Sequence, residues 1–173
     1  MKKQIRFFIR NRAMKFVSAL IFGVASIIGC EAEKGGQTLN EDRLREIKIG
    51  SVVKLADLIN GNAEIVCVLH PYQDKVAGKY VKSMDINKYL SDVKYQASES
   101  YWSLVTSSTN LTTHYTFKRS KMLDIFSAHG LKSSTAVILP PNFEAAECAS
   151  FDGAALFKTS INDRVYVIFG SIK

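Results

Sequence analysis

From Phe16 to Gly29 the chain runs for 14 residues without a charge, and a cysteine, Cys30, stands directly after them. Every charge before the run is basic: Lys2, Lys3, Arg6, Arg10, Arg12 and Lys15 precede the first acid, Glu31. A helix that spans a bilayer needs roughly 20 apolar residues. The core of a secretory signal needs about 7–15, behind a positively charged start. The run therefore fits a signal segment over residues 1–29 better than a retained anchor helix. Two starts are compatible with it, Met1 and Met14, and both lead to the same junction before Cys30.

The residues Ile27-Ile28-Gly29-Cys30 resemble the lipobox of bacterial lipoproteins, an aliphatic residue, a tolerant position, a small residue and an obligatory cysteine. The resemblance implies cleavage before Cys30, a diacylglycerol thioether on its sulfur and acylation of the new amine. Several chains suit a stable anchor, because one acyl chain alone holds a protein to a membrane only marginally. Glu31 follows, where an Asp favours retention in the inner membrane, so the expectation leans to the outer membrane, facing the periplasm. Glu31–Gln37 is polar and contains Gly35-Gly36. It reads as a flexible tether that, with Cys30, fills residues 30–37 and reaches roughly 20–25 Å when extended.

Removal of residues 1–29 changes what the charge means. The whole chain is +7, which alone would invite a nucleic-acid reading. Six of its 23 Lys and Arg lie before Cys30, which leaves 17 against 16 Asp and Glu. Lys and Arg do not cluster with aromatics in what remains, so nucleic acid is not expected as a partner.

Residues 38–173 have the length and apolar content of one α+β domain. Thr38-Leu39-Asn40-Glu41 matches a capping box and predicts a helix to about Lys48, stopped by Gly50. Val52, Leu55, Ala56 and Ile59 have helical spacing, with Ser51 as a cap and Asn60-Gly61 as the end. Ile65–Leu69 is a short apolar run ended by His70-Pro71, which predicts a buried strand. Ile86, Tyr89, Leu90 and Val93 predict another helix. The alternating residues of 101–117 form a hairpin about Ser107–Asn110. Ser120 would cap a helix bearing Met122, Leu123 and Phe126, with Gly130 beyond its end. Residues 135–141, "TAVILPP", read as a buried strand, and residues 153–170 as a hairpin about Asn162-Asp163. The expected fold is thus a mostly antiparallel sheet of about five strands with three or four short helices on one face.

Of three cysteines, Cys30 is assigned to lipid, which leaves Cys67 in the predicted strand and Cys148 in a loop-like stretch. In an exported protein an even remainder points to a disulfide between them. Neither C-x-x-C nor H-x-x-x-H spacing occurs, so no metal or cofactor is expected. Ser51-x-x-Lys54 and Lys158-Thr159-Ser160 are similar to two motifs of penicillin-recognising enzymes. The second lacks its Gly, and Ser51 as a cap beside an exposed Lys54 is the simpler reading. His70, His114 and His129 are far apart in sequence, with His129 expected at a helix C-terminus. Asn110-Leu111-Thr112 is a formal glycosylation sequon without meaning in a bacterial lipoprotein.

Cys67-Val68-Leu69-His70-Pro71-Tyr72 resembles the CVL-x-PY signature of small bacterial lipoproteins. In that pattern follow Trp102-Ser103-Leu104-Val105, Arg119, a second cysteine at Cys148 and the segment Ala154–Phe157. The resemblance implies lipidation and the cysteine pair, and it brings no activity. The leading expectation is a non-enzymatic envelope protein that binds another protein, of a protective kind such as an immunity or exclusion factor. His70, Pro71, Tyr72 and Trp102 are the candidates for partner contact, although Pro71 also stops the strand and Tyr72 is expected to fold over the edge of the core. An envelope hydrolase or small-ligand binder is the alternative, and it would need a cleft converging on Ser51, His114 or an acid pair.

Overall fold

The computed structural model describes residues 37–133 and 137–173. The expected signal segment over residues 1–29, Cys30 as the expected lipid site and the expected tether residues 31–36 lie outside them. In chain order the elements are β1 (Thr38–Leu39), α1 (Glu41–Glu46), β2 (Val52–Lys54), a 3₁₀ turn (Leu55–Asp57), β3 (Ile59–Asn60), β4 (Ile65–Leu69), α2 (Ser83–Asp92), β5 (Tyr101–Ser107), β6 (Thr112–Lys118), β7 (Asp124–Ile125), α3 (Ala128–Ser133), β8 (Phe143–Ala145), β9 (Cys148–Ser150), β10 (Ala154–Ile161) and β11 (Arg164–Ile172). The class is α+β and mostly antiparallel, as expected. Among the described residues it holds 11 strands, more than the sequence suggested, and three α-helices.

Two sheets form the body. One has the order β6-β5-β4-β9; the other has β2-β10-β11-β7, with β8 also on β11. Only the β7–β11 pair is parallel among those described. The period-2 alternation of each strand sorts side chains between layers. Val66, Val68, Trp102, Leu104 and Phe117 from the first sheet meet Ala154, Leu156, Val167 and Phe169 from the second in one central core. The alternate residues Cys67, Leu69, Val105 and Cys148 face outward and are covered by Ile86 and Leu90 of α2. On the far side, Ala155, Phe157 and Ile168 are covered by Phe126, Leu131, Val137 and Leu139. The helices thus cover two faces, not one. Gly170 permits the β8–β11 contact, since a Cβ there would lie 2.2 Å from the Glu144 carbonyl oxygen.

The strand Ile65–Leu69, the helix around Ile86–Leu90 and both hairpins form where the sequence places them. At the second hairpin, Asn162 and Asp163 have φ of 48° and 59°, as a two-residue primed turn requires.

Four expectations are corrected. Asn40, not Thr38, caps α1, its side chain accepting from Arg43 N at 2.9 Å, while Thr38 pairs with Asn60 in β1–β3. The predicted helix over Val52–Ile59 is β2, the 3₁₀ turn and β3; the β-branched pair Val52-Val53 lies against Phe157 and Leu156 of β10. Met122–Phe126 is a turn and β7, and the helix begins only at Ala128, so Gly130 lies inside it. Residues 137–141 carry no ladder: Val137 and Leu139 pack inward, but Ile138 is 90% exposed. Gln37, expected in the tether, is instead buried, donates to the Asn62 carbonyl and accepts from the Thr106 hydroxyl.

Cys67 and Cys148 are bonded, 81 residues apart in sequence and with Cα atoms 4.0 Å apart. They stand directly opposite each other on β4 and β9. Val68 N donates to Glu147 O in the neighbouring pair, so the cysteines occupy a non-hydrogen-bonded position, where opposed Cα atoms come closest.

Candidate functional site

The end of β4 turns sharply over His70–Gln73, closed by a 3.0 Å bond from Gln73 N to His70 O. Pro71 holds the second position and Tyr72 the third, with φ of 65°. This is the position at which a type II turn calls for Gly, because a Cβ is unfavourable there. Gln73 Oε1 accepts from His70 N at 3.1 Å and stiffens the turn. Tyr72 is 71% exposed and its hydroxyl donates to the Glu99 carboxylate, which pushes the phenol pKa up. The expectation that Tyr72 folds over the core edge is therefore overturned. A bulky aromatic is held outward in a backbone conformation it does not favour.

Beside the turn lies a charged cluster. Asp124 is fully buried at the start of β7, and Arg119 grips it with a fork, Nε to Oδ1 at 2.6 Å and Nη2 to Oδ2 at 3.0 Å. Arg164 reaches the same carboxylate, Nη2 to Oδ2 at 2.8 Å. Ile125 N adds a further donor to Oδ1 at 2.8 Å. Arg119 Nη1 also donates to the Glu99 carbonyl at 3.0 Å, and its pKa is raised by the bonded Asp124. Glu99 therefore links Tyr72 to Arg119. Tyr101 begins β5 in the same region and is 42% exposed, and Met122, in the turn after Arg119, is 70% exposed. Tyr, Arg and Met around a rigid turn are the residue types enriched at protein interfaces.

The other candidates divide. His70 is largely buried: burial pulls its pKa down against the opposing charge of Glu147, and Nε2 has no partner among the described residues. It supports the turn from beneath. Trp102 is wholly buried and stacked on Phe117 at 4.2 Å between centroids, so it belongs to the core and cannot meet a partner as expected. Pro71 sits in the turn itself.

Ser51, just before β2, lies beside Lys158 of β10, whose N donates to Ser51 O at 3.1 Å. Ser51 caps no helix. Lys158 is buried and donates from Nζ to the Arg45 carbonyl at 2.6 Å, at the C-terminal end of α1; burial and Arg45 lower its pKa. Lys54 is exposed on β2. His114 lies on β6 of the other sheet, its Nδ1 bonded to the Tyr89 hydroxyl at 2.9 Å, with Tyr95 edge-on at 5.5 Å; burial lowers its pKa. Ser51 and His114 thus do not come together. His129 is exposed in the first turn of α3, not at a helix C-terminus. Among the described residues no group of three metal-ligating side chains is found.

Sequence reading missed Glu99, Asp124 and Arg164. The one available signal was Asp124 itself, an acid set in the apolar stretch Met122-Leu123-Asp124-Ile125-Phe126. Compared with family models, with curated protein sequences and with solved structures, the chain matches none.

Proposed function

We propose that the chain is a lipid-anchored protein of the bacterial envelope that binds another protein through the Tyr72 turn and the surface beside Arg119. The observation that carries this reading is Tyr72, exposed and held at φ of 65° where the fold alone would be served better by Gly. The lipobox-like residues ending in Cys30, the polar segment after it and the CVL-x-PY resemblance support an anchored, exported protein. The Cys67–Cys148 disulfide agrees with an oxidising compartment. The anchor belongs in the outer membrane, facing the periplasm, given Glu31. The partner is an envelope protein, and the role is a protective one of the immunity or exclusion kind.

The test places a photo-crosslinking residue at Tyr72, Tyr101, Met84 or Ile138 of the full chain in producing cells. All four positions are exposed. A discrete adduct at 72 and 101, absent at 84 and 138, is the expected result. Adducts at all four positions alike, or none at 72, would contradict the reading.

A further inference from the structure

Strand β6 is the outer strand of its sheet and pairs only with β5 among the described residues. The ladder fixes which of its backbone groups are free. Ser108 N donates to Leu111 O and Arg119 N to Ser100 O, so the bonded residues on this strand are odd-numbered. The N–H and C=O groups of Thr112, His114, Thr116 and Lys118 therefore point away from the sheet, and of these only the His114 N–H has a described neighbour, the Tyr89 hydroxyl. Other strands at the sheet margins are short: β2, β8 and β9 have three residues each, and β7 has two. β6 has seven, in unbroken register with β5, with no Pro or bulge and with a single charge, Lys118. Natural edges are usually shortened, bulged or charged against such pairing, and this one is not.

We infer that β6 pairs antiparallel with β6 of a second copy across a two-fold axis at Tyr115, joining two four-stranded sheets into one of eight. The strand is complementary to itself in this register. Thr112 stands opposite Lys118 of the second copy and His114 opposite Thr116, which are the positions whose free groups face outward. The four outward carbonyls and four outward N–H groups of each strand are then paired, the His114 N–H exchanging the Tyr89 hydroxyl for a carbonyl of the second copy. Lys118, the only charge on the strand, faces a threonine, so no like charges are opposed. A two-fold contact of this kind closes on itself and does not propagate into fibres. The pairing strand borders the proposed partner surface at one end, where Lys118 stands opposite Tyr101 and precedes Arg119, while the two-fold axis at Tyr115 lies away from it along the strand.

The test is sedimentation of the full chain in detergent. The wild type is expected to be dimeric at about 0.1 mM. Thr112→Lys would set the introduced ammonium against Lys118 of the other copy, twice per dimer, and is expected to weaken the dimer roughly three- to tenfold at low salt. Adding Lys118→Glu in the same chain should restore it. Within one chain the two positions lie six residues apart along an extended strand, roughly 20 Å, so neither change creates an internal pair. Both side chains are at least partly exposed, so folding is not at stake. A monomeric wild type at that concentration overturns the inference and leaves the edge to a strand from another protein. A dimer indifferent to Thr112→Lys, or one not restored by the double change, overturns this register.

Discussion

Tyr72 is the residue at which local preference and observed conformation disagree most plainly. His-Pro-Tyr was legible as the end of a strand, because Pro71 cannot continue a ladder. That the tyrosine would take a left-handed φ and face solvent was not, since the choice depends on Glu99 and Gln73, distant or turn-specific partners that periodicity does not reveal. Tyr72→Gly removes the ring and relieves the backbone. A melting temperature no lower than wild type is expected, together with loss of the crosslinked partner; a marked fall in melting temperature would make the residue structural. Asp124 behaves in the opposite way. It is fully buried between Arg119 and Arg164, so Asp124→Ala strands two cations and is expected to cost about 3–5 kcal/mol in chemical denaturation. A cost under about 1 kcal/mol would show the cluster to be slack.

Among elements, the longer runs were legible, and the short ones were not. Ile65–Leu69 was legible as a continuous apolar run because its alternate residues feed two different cores, and the two hairpins were legible from runs flanking polar turns. Val52, Leu55 and Ile59 misled because helical spacing in a short segment is ambiguous. Leu55 and Ile59 are indeed buried, but Leu58 is too, and Ala56 is exposed. Pairing of Val52–Lys54 with β10 decided the matter, and that contact joins residues about a hundred positions apart. The second error, over Met122–Phe126, has the same cause, a parallel pairing of Asp124-Ile125 with Tyr166-Val167. The link between β4 and β9 was legible from the two cysteines left after Cys30 in a chain expected to be exported. It closes a separation of 81 residues, and its reduction is expected to cost about 4–5 kcal/mol by the chain-entropy estimate. Equal denaturation midpoints with and without reductant, thiol release being verified, would contradict that.

At the scale of the molecule, charge is spread unevenly along the chain. The charge that sets the chain at +7 sits mostly before Cys30, and the folded residues are close to balanced. No described helix is long and apolar enough to cross a membrane. Gln37 is the first described residue, and residues 31–36 separate it from Cys30, the residue proposed to carry the lipid. Everything proposed about partners depends on that placement. The most direct measurement is intact and fragment mass spectrometry of the mature N-terminus from producing cells. Cys30 is expected to be the first residue, carrying a diacylglyceryl thioether and, on its amine, an acyl chain, and Cys30→Ser is expected to leave unprocessed precursor. A mature chain that begins elsewhere, or an unmodified Cys30, would contradict the anchored reading.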